Sequence, residues 1–148
     1  MATKKRKVKR TRRTEPPMGR REFLEKLRSL DACVSAVSWA EQNNTLSPKE
    51  LYEECENVEW IEWLIIELKT DNGNESIYDW YLEDERIKTL RELIASTASY
   101  YRDYDKGDID SWGAYIALTQ ERNRAKLACL RKKWPWKRVE RALRKRFR

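Results

Sequence analysis

Val58-Glu59-Trp60-Ile61-Glu62-Trp63-Leu64-Ile65-Ile66-Glu67-Leu68 is the most apolar stretch of this chain, and it limits what can be built around it. Wound as a helix, it sets Trp60, Trp63, Leu64 and Glu67 on one side and Ile61, Ile65 and Leu68 on an adjoining one. Glu59 and Glu62 are left for the remaining face. Apolar surface over most of a helix's circumference has to be covered from several directions, which describes the central helix of a small bundle. Ordinary core packing is preferred here to a tryptophan-lined ligand pocket.

The rest of the chain is compatible with helices around that centre. Four Gly and four Pro in 148 residues leave little turn chemistry for a sheet, whereas Leu, Glu, Arg, Lys and Ala are abundant helix formers. The expected fold class is all-α, a compact multi-helix bundle with a disordered basic N-terminal arm and a basic C-terminal helix. Residues 1–17 read as the arm and 18–148 as one helical domain, acidic over 18–121 and basic over 122–148.

The formal charge of +7 conceals a segregation: +8 over residues 1–14, −13 over 15–121 and +12 over 122–148. Such sorting points the ends toward polyanions and leaves the acidic middle to solvation, self-association or cationic partners. Lys4, Lys5, Arg6, Lys7, Lys9, Arg10, Arg12 and Arg13 have almost no apolar company, so the arm is expected to order only on a phosphate-bearing partner. Lys4-Lys5-Arg6-Lys7-Val8 also has the form of a nuclear-localisation signal, meaningful only in a eukaryotic cell. Glu15-Pro16-Pro17 closes the arm, since consecutive prolines favour extended backbone.

Along the body, Phe23, Leu24, Leu27 and Leu30 form a helical stripe from about Arg20 that continues through Cys33, Val34, Val37 and Ala40 to about Gln42-Asn43-Asn44. This is one helix or two, with Asp31 as a candidate cap for the second. Ser47-Pro48-Lys49-Glu50 is a capping box with Pro in the first turn, and it opens a short helix through Cys55. Asn57 is the candidate cap of the central helix, which should run out at Thr70-Asp71-Asn72-Gly73-Asn74. Ile77, Trp80, Tyr81, Asp84, Ile87, Leu90, Leu93 or Ile94, Thr97 and Tyr101 predict the longest helix, with that stripe facing the core. Tyr78, Tyr81, Tyr100, Tyr101, Tyr104 and Tyr115 are read as walls of the core in preference to platforms for bases.

Asp103 to Asp110 has the acids of a calcium loop but not its register, because glycine falls fifth and Ala114 twelfth; a glycine-ended helix followed by Asp108 or Asp110 as N-cap accounts for it. Asp110 to about Lys132 reads as a further helix with Trp112, Tyr115, Ile116, Thr119, Leu127 and Leu130 inward. Trp134-Pro135-Trp136 breaks it and starts the last, with Pro135 in its first turn. That last helix should turn Val139, Ala142, Leu143 and Phe147 inward. The candidate phosphate contacts at this end are Arg131, Lys132, Lys133, Lys137, Arg138, Arg141, Arg144, Lys145 and Arg148, more cations than a helix dipole needs.

With no histidine anywhere, the usual base at neutral pH and the Ser-His and Cys-His arrangements are missing, and there is no phosphate-binding glycine loop; no catalytic residue and no cofactor is expected. Cys33, Cys55 and Cys129 are too far apart for a zinc site and are expected as reduced, mostly buried thiols of an intracellular protein. No run of eighteen apolar residues exists to cross a membrane.

Ala32-Cys33-x-x-Ala36-x-x-Trp39 and Glu54-Cys55 followed by Trp60-x-x-Trp63-Leu64 resemble a pattern in small all-helical bacterial and phage proteins usually described as immunity-like. Pro135-Trp136-x-x-Val139-Glu140-x-Ala142-Leu143 is similar to their closing helix. The resemblance covers about half the chain and implies a helical bundle without enzymatic activity that binds or neutralises another macromolecule. The basic ends are not part of it. The two lines together give the expected function: a non-catalytic nucleic-acid-binding protein, encoded by a phage or mobile element and cytoplasmic or nucleoid-associated, that grips DNA or RNA phosphates through its basic termini. The alternative is a protein inhibitor of a host factor in the anti-defence sense, with a nucleic-acid-guided nuclease or another nucleoprotein as its target.

Overall fold

The computed structural model describes residues 15–69, 76–103 and 109–148, with the side chains of 99–103 and 109–111 outside the description. Within them the chain is all-helical. The elements are α1 (Arg20–Ser29), α2 (Val34–Gln42), α3 (Pro48–Glu54), α4 (Val58–Leu68), α5 (Ile77–Glu83), α6 (Glu85–Asp103), α7 (Ile109–Lys133) and α8 (Trp136–Arg146). The expected turn at Thr70 to Asn74, the acid-rich loop after Asp103, and Tyr100, Tyr101 and Tyr104 lie wholly or mainly outside the described residues.

Local chemistry accounts for most boundaries. Ser47 accepts from the Glu50 N–H at 3.2 Å while Glu50 accepts from the Ser47 N–H at 3.2 Å, so the capping box forms with Pro48 in the first turn. Asn57 Oδ1 accepts from the Trp60 N–H at 3.2 Å and caps α4. The α1–α2 stripe resolves into two helices, and Asp31 does not cap the second. It has φ 61° and ends the first, where the Asp31 N–H reaches Arg28 O and the Ala32 N–H reaches Leu27 O, both at 3.0 Å. This is the left-handed closure glycine usually provides. Cys33 stands at the N-cap of α2 instead.

The long helix expected from Ile77 to Tyr101 is divided at Asp84. Its ψ of 113° leaves helical space, and its Oδ1 accepts from the Ile87 N–H at 3.0 Å, starting α6. Asp84 therefore serves as a cap and not as part of a core stripe. A second capping box, Ser76 with Asp79, opens α5. α7 is the longest helix, with 25 residues.

α4 packs against α7 and α8 and buries Val58, Ile61, Leu64, Ile65 and Leu68. At roughly 1.5–3 kcal/mol for each large side chain removed from water, this helix is a principal contributor to the core. α8 closes the bundle with Trp136, Val139 and Leu143 inward and Ala142 half-buried, and Phe23 meets the Trp136 ring edge-on at 5.6 Å. Pro135 is the N-cap of α8 and not its first turn, and Phe147 lies past the helix, exposed. The amino-terminal half of α7 departs furthest from expectation. Trp112 and Ile116 are exposed, 49% and 39%, and the burial of α7 is concentrated in Ala125, Leu127, Cys129 and Leu130. All three cysteines are free thiols, with Cys33 exposed and the other two buried.

Candidate nucleic-acid interface

The eight basic arm residues, Lys4 to Arg13, lie outside the described residues. What is described is the arm's root, and it is fastened to α8. Arg144 Nη1 lies 2.9 Å from a Glu15 carboxylate oxygen and 3.9 Å from Glu140, its Nη2 donates to the Pro16 carbonyl, and the Met18 N–H donates to Glu140 at 3.0 Å. Met18 itself is buried in the core. Residues 15–18 thus run beside the last helix.

The carboxy-terminal cations divide by what they touch. Arg131, expected among the phosphate contacts, turns inward: Nε and Nη2 reach the Tyr52 carbonyl at 3.1 and 2.9 Å, and Nη2 also reaches that of Cys55 at 2.5 Å. These carbonyls end α3 and have no further turn to bond. Burial pushes the Arg131 guanidinium below its ordinary value, with Cys55, Tyr52 and Glu53 opposing the shift, and it remains a cation. Arg144 is likewise committed, to Glu15 and Glu140, and is only 17% exposed. Both are thus engaged within the chain, Arg131 by carbonyls that end α3 and Arg144 by Glu15, Glu140 and the Pro16 carbonyl.

Other members are partly engaged. Lys133 lies over the Trp80 ring at 5.9 Å, and Arg138 lies over Trp134 at 4.1 Å while donating to the Lys133 carbonyl. Arg148 lies 3.9 Å from Glu15 but is largely exposed, a pairing of little strength in water. Lys132, Lys137, Arg141 and Lys145 are exposed and have no carboxylate within ion-pair distance among the described residues. Lys137, Arg141 and Lys145 recur every fourth residue, so they make one stripe about 12 Å long on α8. Trp134 and Trp136 are buried, 3% and 8% exposed, and so are not available to stack on bases.

Clefts lined by other helices lie elsewhere on the bundle, and two of them carry side chains that bear on binding. Trp39, Trp60 and Trp63, all half-buried, line an apolar cleft of about 320 Å³ with Asp31 and Glu59 also on its wall; the Trp39 and Trp60 rings are 6.0 Å apart. Core packing therefore describes only part of each indole. The other cleft, about 410 Å³, gathers Lys88 and Arg91 of α6 with Arg122 and Lys126 of α7. None of these four is among the candidate phosphate contacts that the sequence singles out. The available signal was a pair of cations three or four residues apart on each of two helices. Among the described residues no group of His, Cys, Asp and Glu is placed to hold a metal, and no helix is long and apolar enough to cross a membrane.

Comparison with protein-family models, with curated proteins and with solved structures finds no match.

Proposed function

We propose that this chain is a non-catalytic nucleic-acid-binding protein that grips phosphates with the exposed stripe of α8 and the arm entering beside it. The observation that carries this reading is the fastening of Glu15, Pro16 and Met18 to Arg144 and Glu140. It brings the root of an arm with eight cations alongside Lys137, Arg141 and Lys145, so charges far apart in sequence act on one ligand. Phosphate contacts of this kind supply affinity and no base readout, and they release counterions.

The test is the salt dependence of binding to a short duplex and to a single strand of mixed sequence. For a duplex, the log-log slope should lose about 0.9 for each phosphate contact removed by Lys137→Gln, Arg141→Gln or Lys145→Gln, and more when the arm's cations are replaced together. A slope near zero for the unaltered chain, or one indifferent to both sets of substitutions, overturns the reading.

A second reading, inhibition of a host factor through protein contacts, is favoured by the Trp39–Trp60–Trp63 cleft. Half-exposed tryptophans beside Asp31 and Glu59 suit an apolar side chain from a basic partner surface. Retention of a single host protein after nuclease treatment, and its loss on Trp63→Ala, would support inhibition. Capture that disappears with nuclease supports the first reading.

A further inference from the structure

The cleft between α5, α6 and α7 collects positive charge where the acidic stretch of the chain meets the start of its basic one. Lys88 and Arg91 enter from α6, and Arg122 and Lys126 from the facing α7. The nearest acid along α7, Glu121, is engaged by Arg86 at 3.0 Å and Arg124 at 2.7 Å. Lys88 holds Glu85 at 3.4 Å in a pair open to solvent. For Arg91, Arg122 and Lys126 no carboxylate lies within ion-pair distance among the described residues. Glu56, Glu59 and Glu62 line an adjoining cleft that shares Arg122 and Lys126, and none of them comes that close.

Two further features suit the cleft to an anion. Arg122 Nε is buried and has no acceptor, an uncommon state for a charged head. Lys126 is half-buried with its ammonium 5.0 Å from the Tyr81 ring centroid, while Glu62 accepts from the Tyr81 hydroxyl at 3.0 Å. Desolvation first, and then the neighbouring Arg122, push Lys126 below the ordinary lysine range, with Glu62 opposing them. An incoming anion would reverse those repulsions and lower the cost of holding these heads together. The wall also carries an aromatic face: Tyr78, 65% exposed, meets Tyr81 edge-on at 6.3 Å and is free to stack.

We propose that this cleft binds a nucleoside phosphate, with Arg91, Arg122 and Lys126 around the phosphate and Tyr78 against the base. The volume of about 410 Å³ lies in the range of small-molecule sites, roughly 300–1,000 Å³. The same chemistry is offered by a free mononucleotide and by the phosphorylated end of a strand. The site uses no residue of α8, so it stands whether or not the α8 stripe binds nucleic acid.

The experiment is calorimetric titration of the full chain at low salt with AMP, adenosine, inorganic phosphate and a 5′-phosphorylated tetranucleotide. AMP is expected to saturate and adenosine not to bind. Arg122→Gln and Lys126→Met should each weaken AMP by at least about tenfold, the scale of a lost charge-assisted hydrogen bond. Tyr78→Ala, at an exposed position that the fold does not need, should weaken AMP by about fivefold or more and leave inorganic phosphate unchanged. Loss of AMP binding on Lys137→Gln would put the phosphate on α8 and overturn the proposal. Tetranucleotide binding that weakens as AMP binding does on Arg122→Gln and Tyr78→Ala identifies a strand end as the source, and tetranucleotide binding indifferent to both identifies the free nucleotide. No saturation by AMP up to about 10 mM, equal binding of adenosine, or AMP binding unmoved by Tyr78→Ala and by Arg122→Gln in a folded chain overturns the proposal.

Discussion

Arg131 and Arg141 belong to the same basic run in sequence yet one turns inward and the other is exposed, and replacing each by an uncharged residue separates the two expected effects. Arg131→Met keeps most of the aliphatic stem and removes three hydrogen bonds to the carbonyls of Tyr52 and Cys55. A hydrogen bond to a charged group is worth roughly 1.5–3 kcal/mol, so losing the guanidinium from two carbonyls would cost about 3–6 kcal/mol if the site were dry. The site is half open, and water can replace part of what is lost, which brings the expectation to about 2–3 kcal/mol. For a chain of this length that lowers the thermal midpoint by roughly 4–12 °C. Arg141→Gln removes a charge exposed on α8, and its stability should stay within about 0.5 kcal/mol of the parent. Urea unfolding followed by far-ultraviolet dichroism measures one consequence, and the salt slope of duplex binding measures the other. Arg131→Met should lower stability and, while folded, keep the slope; Arg141→Gln should do the reverse. An Arg131→Met chain as stable as its parent, with a diminished slope, would refute the division between inward and outward cations.

Three other expectations follow from particular contacts. Asp84→Ala removes the acceptor for the Ile87 N–H at the start of α6 and should cost about 1 kcal/mol in urea unfolding, whereas Asp84→Asn, which can still cap, should cost little. Asp31→Gly should raise stability by roughly 0.5–1 kcal/mol, because glycine adopts the φ of 61° without strain; a loss would mean that the Asp31 side chain has a stabilising role of its own. Burial, together with Glu62 at Tyr81, raises Tyr52 and Tyr81 above the ordinary tyrosine value of 10.0. A group raised on folding contributes fully below its unfolded value and loses that contribution as pH climbs toward its folded one, so stability should fall above about pH 10. Lys126, lowered on folding, acts in the opposite sense at lower pH. Tyr81→Phe should make the alkaline decline shallower in pH-dependent unfolding.

What local sequence could reveal depended on whether the cause was local. The Ser47 and Asn57 caps, the break at Trp134-Pro135-Trp136 and the burial of Ile61, Ile65 and Leu68 are all settled within a few residues, and each is found. Asp84 escaped because it falls in step with Tyr81 and Ile87, so the periodicity runs unbroken across a position where the backbone turns. Trp112 and Ile116 look like core, but burial needs a partner element, and pattern alone does not say how far along α7 one reaches. The candidate site was legible as charge and not as geometry. Nothing near Arg131 distinguishes it from Lys132, since the carbonyls that claim it are 76 and 79 residues away in the chain. The same holds for Arg144, whose acceptor Pro16 lies 128 residues earlier. The cleft of Lys88, Arg91, Arg122 and Lys126 exists only once α6 and α7 lie side by side.

The bond between Met18 and Glu140 joins residues 122 positions apart. During synthesis it has to wait until Glu140 has left the ribosome, and closing so wide a loop gains its reward late. Until then Glu15, Pro16 and Met18 lack the Arg144 and Glu140 side chains that hold them. The growing chain, at +8 over residues 1–14 and −13 over 15–121, has a net charge of −5 by residue 121, so it becomes net positive again only as the basic stretch leading into α8 is added, just before Met18 and Glu140 meet.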